Sequence, residues 1–209
     1  MQIGGFVKQS LIDYPGKIAA VVFTQGCNFQ CGYCHNPSLV LPELFHQNQS
    51  ITVNEVLEYL KERKDWLDGV VVTGGEPTIH KDLPEFLKEL KNLNYKVKLD
   101  TNGSNPYLLE RLLVDNLVDY VAMDIKTTLD AAAYTKVTGL SNVNLLLKHI
   151  ASSVILLQNA PIQVEFRTTI LPGVHDELIL KSIENIIGEN KQLITNEFRP
   201  NNVLATYLS

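Results

Sequence analysis

Ala19-Ala20-Val21-Val22-Phe23-Thr24-Gln25-Gly26-Cys27-Asn28-Phe29-Gln30-Cys31-Gly32-Tyr33-Cys34 joins a short apolar run to a loop that holds every cysteine of the chain. The run reads as a buried strand, and the glycine-punctuated stretch behind it as the loop at its C-terminal end. The same rhythm recurs outward. Gly69–Thr73, Lys96–Thr101, Asp119–Lys126, Ile162–Ile170 and Gln192–Arg199 read as further strands. Amphipathic stretches lie between them. Thr52-Val53-Asn54-Glu55 is a capping box ahead of the stripe Val53, Val56, Leu57 and Leu60. Asp82 is read as capping a helix with the stripe Leu83, Phe86, Leu87 and Leu90, and Asn105-Pro106 opens a helix carrying Leu108, Leu109, Leu112 and Leu113. Helical sequence continues from about Asp130 to Ser153 and over Asp176–Gly188; Asn36–Ser50 is the longest stretch without a period. Repeated β–α alternation predicts a parallel sheet with helical crossovers. The expected fold is α/β, a partial (β/α)6 TIM-like barrel, in one domain over residues 1–209.

Composition narrows the function. The chain has 209 residues, 45% hydrophobic, which suits one sizeable core. Net charge is −5 with acids and bases interspersed, so no basic stripe points to nucleic acid. No apolar stretch reaches the roughly 20 residues of a membrane span, and Met1–Lys8 lacks the pattern of a signal peptide. Three clustered cysteines without partners place the chain in a reducing, cytoplasmic setting.

Alternation along the strands separates two faces. Lys96, Lys98 and Asp100 share one face; so do Ala122, Asp124 and Lys126, then Gln163, Glu165, Arg167 and Thr169, then Thr195, Glu197 and Arg199. Val97, Leu99, Val121, Met123, Ile125, Val164, Phe166 and Ile170 occupy the opposite faces. Helices cover the apolar side, and the polar side is expected to line a concave cavity rather than to face open solvent.

Working residues of parallel α/β folds gather at the C-terminal ends of strands. Cys27 follows the first strand, Gly74-Gly75-Glu76-Pro77 the second, Asp100-Thr101-Asn102-Gly103 the third and Asp124-Ile125-Lys126 the fourth. Three thiols spaced C-x3-C-x2-C fit a metal centre with one position open, because closed sites normally take four protein ligands. A Cys3His zinc site using His35 is the alternative, but Cys34 and His35 are adjacent and no second ligand pair follows. The glycine pair lets a ligand approach backbone closely, and Glu76 adds a carboxylate that could attract an ammonium group. Trp66 at a helix end is expected to pack. His46, His80, His149 and His175 are isolated and are given surface or loop roles.

Cys27-x3-Cys31-x-Tyr33-Cys34 resembles the signature of the radical S-adenosylmethionine enzymes, and Gly74-Gly75-Glu76-Pro77 their amino-group motif. Asp13-Tyr14-Pro15-Gly16, Phe23–Asn28, Cys34-His35-Asn36-Pro37 and Asp124-x-Lys126 resemble the activating enzymes of glycyl radical enzymes, most of all those of anaerobic ribonucleoside-triphosphate reductase. The resemblance implies that Cys27, Cys31 and Cys34 hold a [4Fe–4S] cluster. It implies reductive cleavage of S-adenosylmethionine to a 5′-deoxyadenosyl radical, which abstracts hydrogen from a glycine of a partner enzyme. Flavodoxin or ferredoxin is the implied electron donor. By the same likeness Gly74, Gly75 and Glu76 contact the methionine ammonium, and Tyr33, His35 and Asn36 lie near the adenine. Asp100, Thr101, Asp124 and Lys126 surround the carboxylate, in some relatives with a monovalent cation, and Arg167 is a cavity arginine. A related activator has a histidine where Arg199-Pro200-Asn201-Asn202 stands here, which leaves that last contact open. Asp13–Gly16 is a turn, read as flanking the cavity mouth. A radical enzyme acting on a small molecule, such as a carboxy-deazaguanine synthase, remains the enzymatic alternative.

Overall fold

The computed structural model describes residues 1–201, 203 and 204; Asn202 lies outside the described residues. Among those described, one sheet runs in chain order: β1 (Ile3–Ser10), β2 (Ala19–Thr24), β3 (Gly69–Gly74), β4 (Lys96–Thr101), β5 (Tyr120–Asp124), β6 (Gln163–Ile170) and β7 (Leu193–Glu197). β1 pairs antiparallel with β2, and each later pair is parallel. The expected strands are all present, with β1 added at one edge. The helices are α1 (Pro37–Val40), α2 (Val53–Glu62), α3 (Leu83–Asn92), α4 (Pro106–Val114), α5 (Ala131–Thr138), α6 (Asn144–Gln158) and α7 (Glu177–Ile187).

Local chemistry sets the boundaries. The Thr52 hydroxyl accepts from the Glu55 N–H while the Glu55 carboxylate accepts from the Thr52 N–H, the reciprocal capping box. Asn105 caps α4 through the Leu108 N–H. Asp82 does not cap α3; its carboxylate accepts from the Met1 ammonium. The helical sequence after Asp130 forms two helices because Gly139, at φ 72°, turns the chain through a left-handed conformation.

The sheet buries its two faces differently. Ala20, Val22, Val70, Val72, Val97, Leu99, Val121, Met123 and Phe166 pack against helix residues such as Leu60, Leu87, Leu109 and Leu157. On the concave side, register aligns Val21, Val71, Lys98, Tyr120 and Gln163, then Asp100, Ala122 and Glu165, then Asp124 and Arg167. The polar faces expected for β4, β5 and β6 therefore do point into the concavity.

Two expectations change. Arg167 is registered with Ile194 and Thr169 with Asn196, so Ile194 and Asn196 share the cavity face; Thr195 and Glu197 face the other way. Arg199 lies past the strand. β7 is exposed along most of its length, so its polarity carries no record of which side is buried. Second, Tyr14 is not at the cavity mouth. It is 1% exposed and packs with Ala19, Val21, Val71, Tyr120 and Ala122 at the N-terminal ends of the strands. Its ring meets Tyr120 edge-on at 5.8 Å, and a Cβ on Gly69 would fall 3.1 Å from it. Tyr14 is the floor of the barrel.

Removing that ring leaves a void among Val21, Val71, Tyr120 and Ala122. Tyr14→Ala is expected to cost about 3–5 kcal/mol, lowering the melting temperature by on the order of 10 °C, whereas Tyr14→Phe keeps the ring and melts close to wild type. Calorimetry decides; an alanine variant as stable as wild type removes Tyr14 from the floor.

Candidate cofactor and metal site

Two loops meet at the C-terminal rim, and glycine is what lets them meet. Gly26 and Gly74 have φ of 104° and 112°, conformations that favour glycine. A Cβ on Gly74 would strike the Thr24 backbone, and one on Gly75 would fall within the Gly26 carbonyl. The approach is locked by main-chain bonds. Gly75 N–H donates to Thr24 O at 2.9 Å, Glu76 N–H to Gly26 O at 2.8 Å, and Gly26 N–H to Leu39 O at 2.7 Å. The cysteine loop thus starts against the Gly74–Glu76 turn.

Within the loop, Phe29 N–H donates to Cys27 Sγ at 3.3 Å and Cys34 N–H to Cys31 O at 2.9 Å. Gln30 N–H reaches Thr138 O at 2.9 Å, tying the loop to α5. All three thiols line one cavity of about 220 Å³. The same wall carries Tyr33, His35 and Asn36 from the loop, Gly74, Gly75 and Glu76 from the turn, and Asp100, Thr101, Asp124, Lys126 and Arg167 from β4, β5 and β6. The candidate metal and cofactor residues read from the sequence are therefore brought to one place. Phe29, Val40, Thr73, Asn102 and Thr169 complete the lining.

The donor set suits a cluster more than a single ion. Burial, with the Glu76 carboxylate nearby, pushes the Cys27 thiol up to about 12, and burial also raises Cys31. Such thiols bind metal with loss of their protons. All three cysteines of the chain lie on this wall, and three thiolates match a cluster that leaves one iron open, whereas a closed zinc site normally takes four ligands. The His35 ring is held from its far side, its Nε2 2.6 Å from the Arg199 carbonyl.

Glu76 is fully buried, and its carboxylate faces the protein. Oε1 accepts from Thr78 N at 3.0 Å, Thr78 Oγ1 at 2.5 Å and Thr101 Oγ1 at 2.7 Å; Oε2 accepts from Asn102 N at 2.7 Å. Burial raises its pKa against these donors. The side chain ties the turn after β3 to the end of β4, a role the motif alone did not disclose.

The cavity wall is an ionic chain. Arg167 Nε donates to Asp124 Oδ1 at 2.9 Å, and its terminal nitrogens lie 3.4 Å from Asp100 Oδ2. Lys98 Nζ donates to Asp100 Oδ1 at 2.8 Å and Lys126 Nζ to Asp124 Oδ2 at 3.1 Å. Glu165 accepts from the Tyr120 hydroxyl at 2.6 Å and lies 3.9 Å from Arg167. Burial opposes ionisation of Asp124, yet Arg167 and Lys126 hold it down to about 2.

Sequence reasoning missed two supports. His175, expected at the surface, is 8% exposed. Its Nδ1 accepts from Leu171 N–H at 2.9 Å, which leaves Nε2–H to donate to the Lys126 carbonyl at 2.9 Å. The Lys126 N–H donates to the Tyr134 hydroxyl at 3.3 Å, so the lysine backbone is gripped on both sides. An isolated histidine in a loop gives no sequence signal of this. Conversely Trp66, expected to pack, is 75% exposed, because the turn after α2 points it outward.

Asp124 is depressed below its unfolded value, about 3.9. Its contribution to stability is complete above that value and is lost as pH falls through about 2. Lys126→Met removes one of the two cations, so the folded pKa should rise and acid unfolding should begin at higher pH. Circular dichroism against pH checks this; superimposable acid limbs would contradict it.

Residues 21–186 match the model of the radical SAM superfamily. A Methanocaldococcus jannaschii protein named as a glycyl-radical enzyme activating enzyme is 35% identical over 95% of this chain and 80% of its own length. The GTP 3′,8-cyclase of Helicobacter pylori is 29% identical over 91% of this chain, which spans only 57% of that relative. The crystal structure of Streptococcus suis SuiB bound to S-adenosylmethionine superposes with a TM-score of 0.67 over 89% of this chain and 42% of that one; at 16% identity it speaks to the fold alone. The chain belongs to the radical SAM superfamily and is a relative of proteins named as its glycyl-radical enzyme activating enzymes.

Proposed function

We propose that this protein is a glycyl-radical enzyme activase. The observation that carries the reading is the meeting of three thiols, the glycine turn and the Asp100–Arg167–Asp124–Lys126 chain in one cavity. Cys27, Cys31 and Cys34 would hold a [4Fe–4S] cluster and leave one iron for the amino-acid end of S-adenosylmethionine. Bound there, the pair supplies one-electron reductive cleavage and hydrogen-atom abstraction. The balance is simple. One electron from a flavodoxin- or ferredoxin-type donor and one S-adenosylmethionine give methionine and 5′-deoxyadenosine. The added hydrogen comes from a glycine Cα, which keeps the unpaired electron.

The chain's own residues hold and orient. The Gly74–Glu76 turn offers main-chain acceptors to the ammonium at close range. Lys126 and Arg167 face the carboxylate, and Thr101 keeps Glu76 in place beside them. Tyr33, His35 and Asn36 form the adenine side of the wall. Tyr14 seals the far end of the barrel, so the reacting glycine enters from the rim.

The relationship to GTP 3′,8-cyclases raises a small-molecule alternative. A triphosphate calls for surplus positive charge. Here the described cavity cations Lys126 and Arg167 are each already paired with carboxylates. That favours a neutral glycine segment as substrate. Anaerobic ribonucleoside-triphosphate reductase is the partner we propose, and an intracellular, oxygen-free setting follows from the chemistry.

Iron–sulfide reconstitution followed by mixing with dithionite, S-adenosylmethionine and the reductase tests the proposal. A glycyl radical doublet in electron paramagnetic resonance, one 5′-deoxyadenosine per radical, and loss of both in Cys27→Ala, Cys31→Ala and Cys34→Ala are expected. Cofactor cleavage that never yields a protein radical, but alters an added nucleotide, would establish the small-molecule reading instead. A colourless protein that retains zinc would overturn both.

A further inference from the structure

Each carboxylate oxygen of Asp100 and Asp124 already holds a cationic donor. Asp100 Oδ1 takes Lys98 and Oδ2 takes Arg167; Asp124 Oδ1 takes Arg167 and Oδ2 takes Lys126. Likeness to other activators puts a monovalent cation beside these two aspartates, and the residues present do not fit one. Three fixed cations, Lys98, Arg167 and Lys126, face three fixed carboxylates, Asp100, Asp124 and Glu165. A sodium or potassium ion would be a fourth positive charge, and to reach oxygens of both aspartates it would have to push the guanidinium aside.

We propose that Arg167 is a built-in counter-ion that takes the place of a monovalent cation between Asp100 and Asp124, and that this cavity works without sodium or potassium. The planar guanidinium suits that position, because it carries its charge at all working pH and spans two carboxylates with fixed geometry. Lys98 completes the arrangement from below. It is 4% exposed, its ammonium 5.6 Å over the Tyr120 ring, and it closes the Asp100 oxygen that Arg167 leaves. A neutral wall of this kind accepts a zwitterion, the amino-acid head of the proposed cofactor, without importing or expelling an ion.

Thermal unfolding of the protein without cluster tests the idea directly, in sodium, potassium and choline chloride at equal ionic strength. Wild type should melt at the same temperature in all three. Arg167→Met leaves Asp100 and Asp124 without their shared partner, and should gain stability in sodium or potassium relative to choline. A site filled at a hundred times its Kd would raise the melting temperature by about 5–10 °C. Arg167→Lys loses the planar span but keeps a positive charge, so its melting temperature should still not depend on the choice of cation. A saturable rise of wild type in sodium or potassium but not in choline would overturn the proposal, whether or not the methionine variant folds. So would a folded methionine variant that ignores the choice of cation.

Discussion

The contact between Gly26 and Gly75 is the constraint on which the rest depends. A side chain on Gly75 would overlap the Gly26 carbonyl, and Gly26 at φ 104° holds a conformation that favours glycine, where the two loops are joined by Gly75 N–H to Thr24 O and Glu76 N–H to Gly26 O. With that approach, the residue after Gly26, which is Cys27, begins its loop beside the Gly74–Glu76 turn. Without it, the thiols and the turn would line different surfaces. The local requirement for glycine and the layout of the rim are therefore one requirement: backbone must touch backbone for the cysteine loop and the Gly74–Glu76 turn to share a wall.

Around this contact the barrel is built in layers. Tyr14 and small apolar residues close the N-terminal end. Lys98, Tyr120 and Glu165 form a polar layer above them, then Asp100, Asp124 and Arg167, then Lys126 and the cysteine loop. Each buried charge in these layers has an opposite partner, which is how a parallel sheet tolerates ionised groups on its concave face. Glu76 stands outside this chain. Its four hydrogen-bond donors come from Thr78, Thr101 and Asn102, so it braces the rim.

Much of this was legible in the chain. β2 and β3 read as continuous buried runs, and the alternation of β4, β5 and β6 records which side faces the cavity. The cysteine spacing and the glycine pair lie at strand ends, where parallel folds gather their working residues. What was not legible has physical causes. β1 is an antiparallel edge strand whose Gly4-Gly5 pair breaks the apolar pattern. β7 is exposed on both faces, so Thr195 and Glu197 fit the cavity pattern as well as Ile194 and Asn196 do. Tyr14 sits in a turn-forming tetrapeptide, and nothing local says that its ring folds under the sheet. His175 acts through the Lys126 carbonyl, a partner far away in sequence.

Under the proposed function, Cys27, Cys31 and Cys34 would hold a four-iron cluster and leave one iron for S-adenosylmethionine. Mössbauer spectroscopy of protein reconstituted with iron-57, before and after adding S-adenosylmethionine, addresses it most directly. The predicted result is a cluster in which a single iron site changes its spectrum on addition while the other irons stay as they were. A spectrum that S-adenosylmethionine leaves wholly unchanged, or isolated iron in place of a cluster, would contradict it.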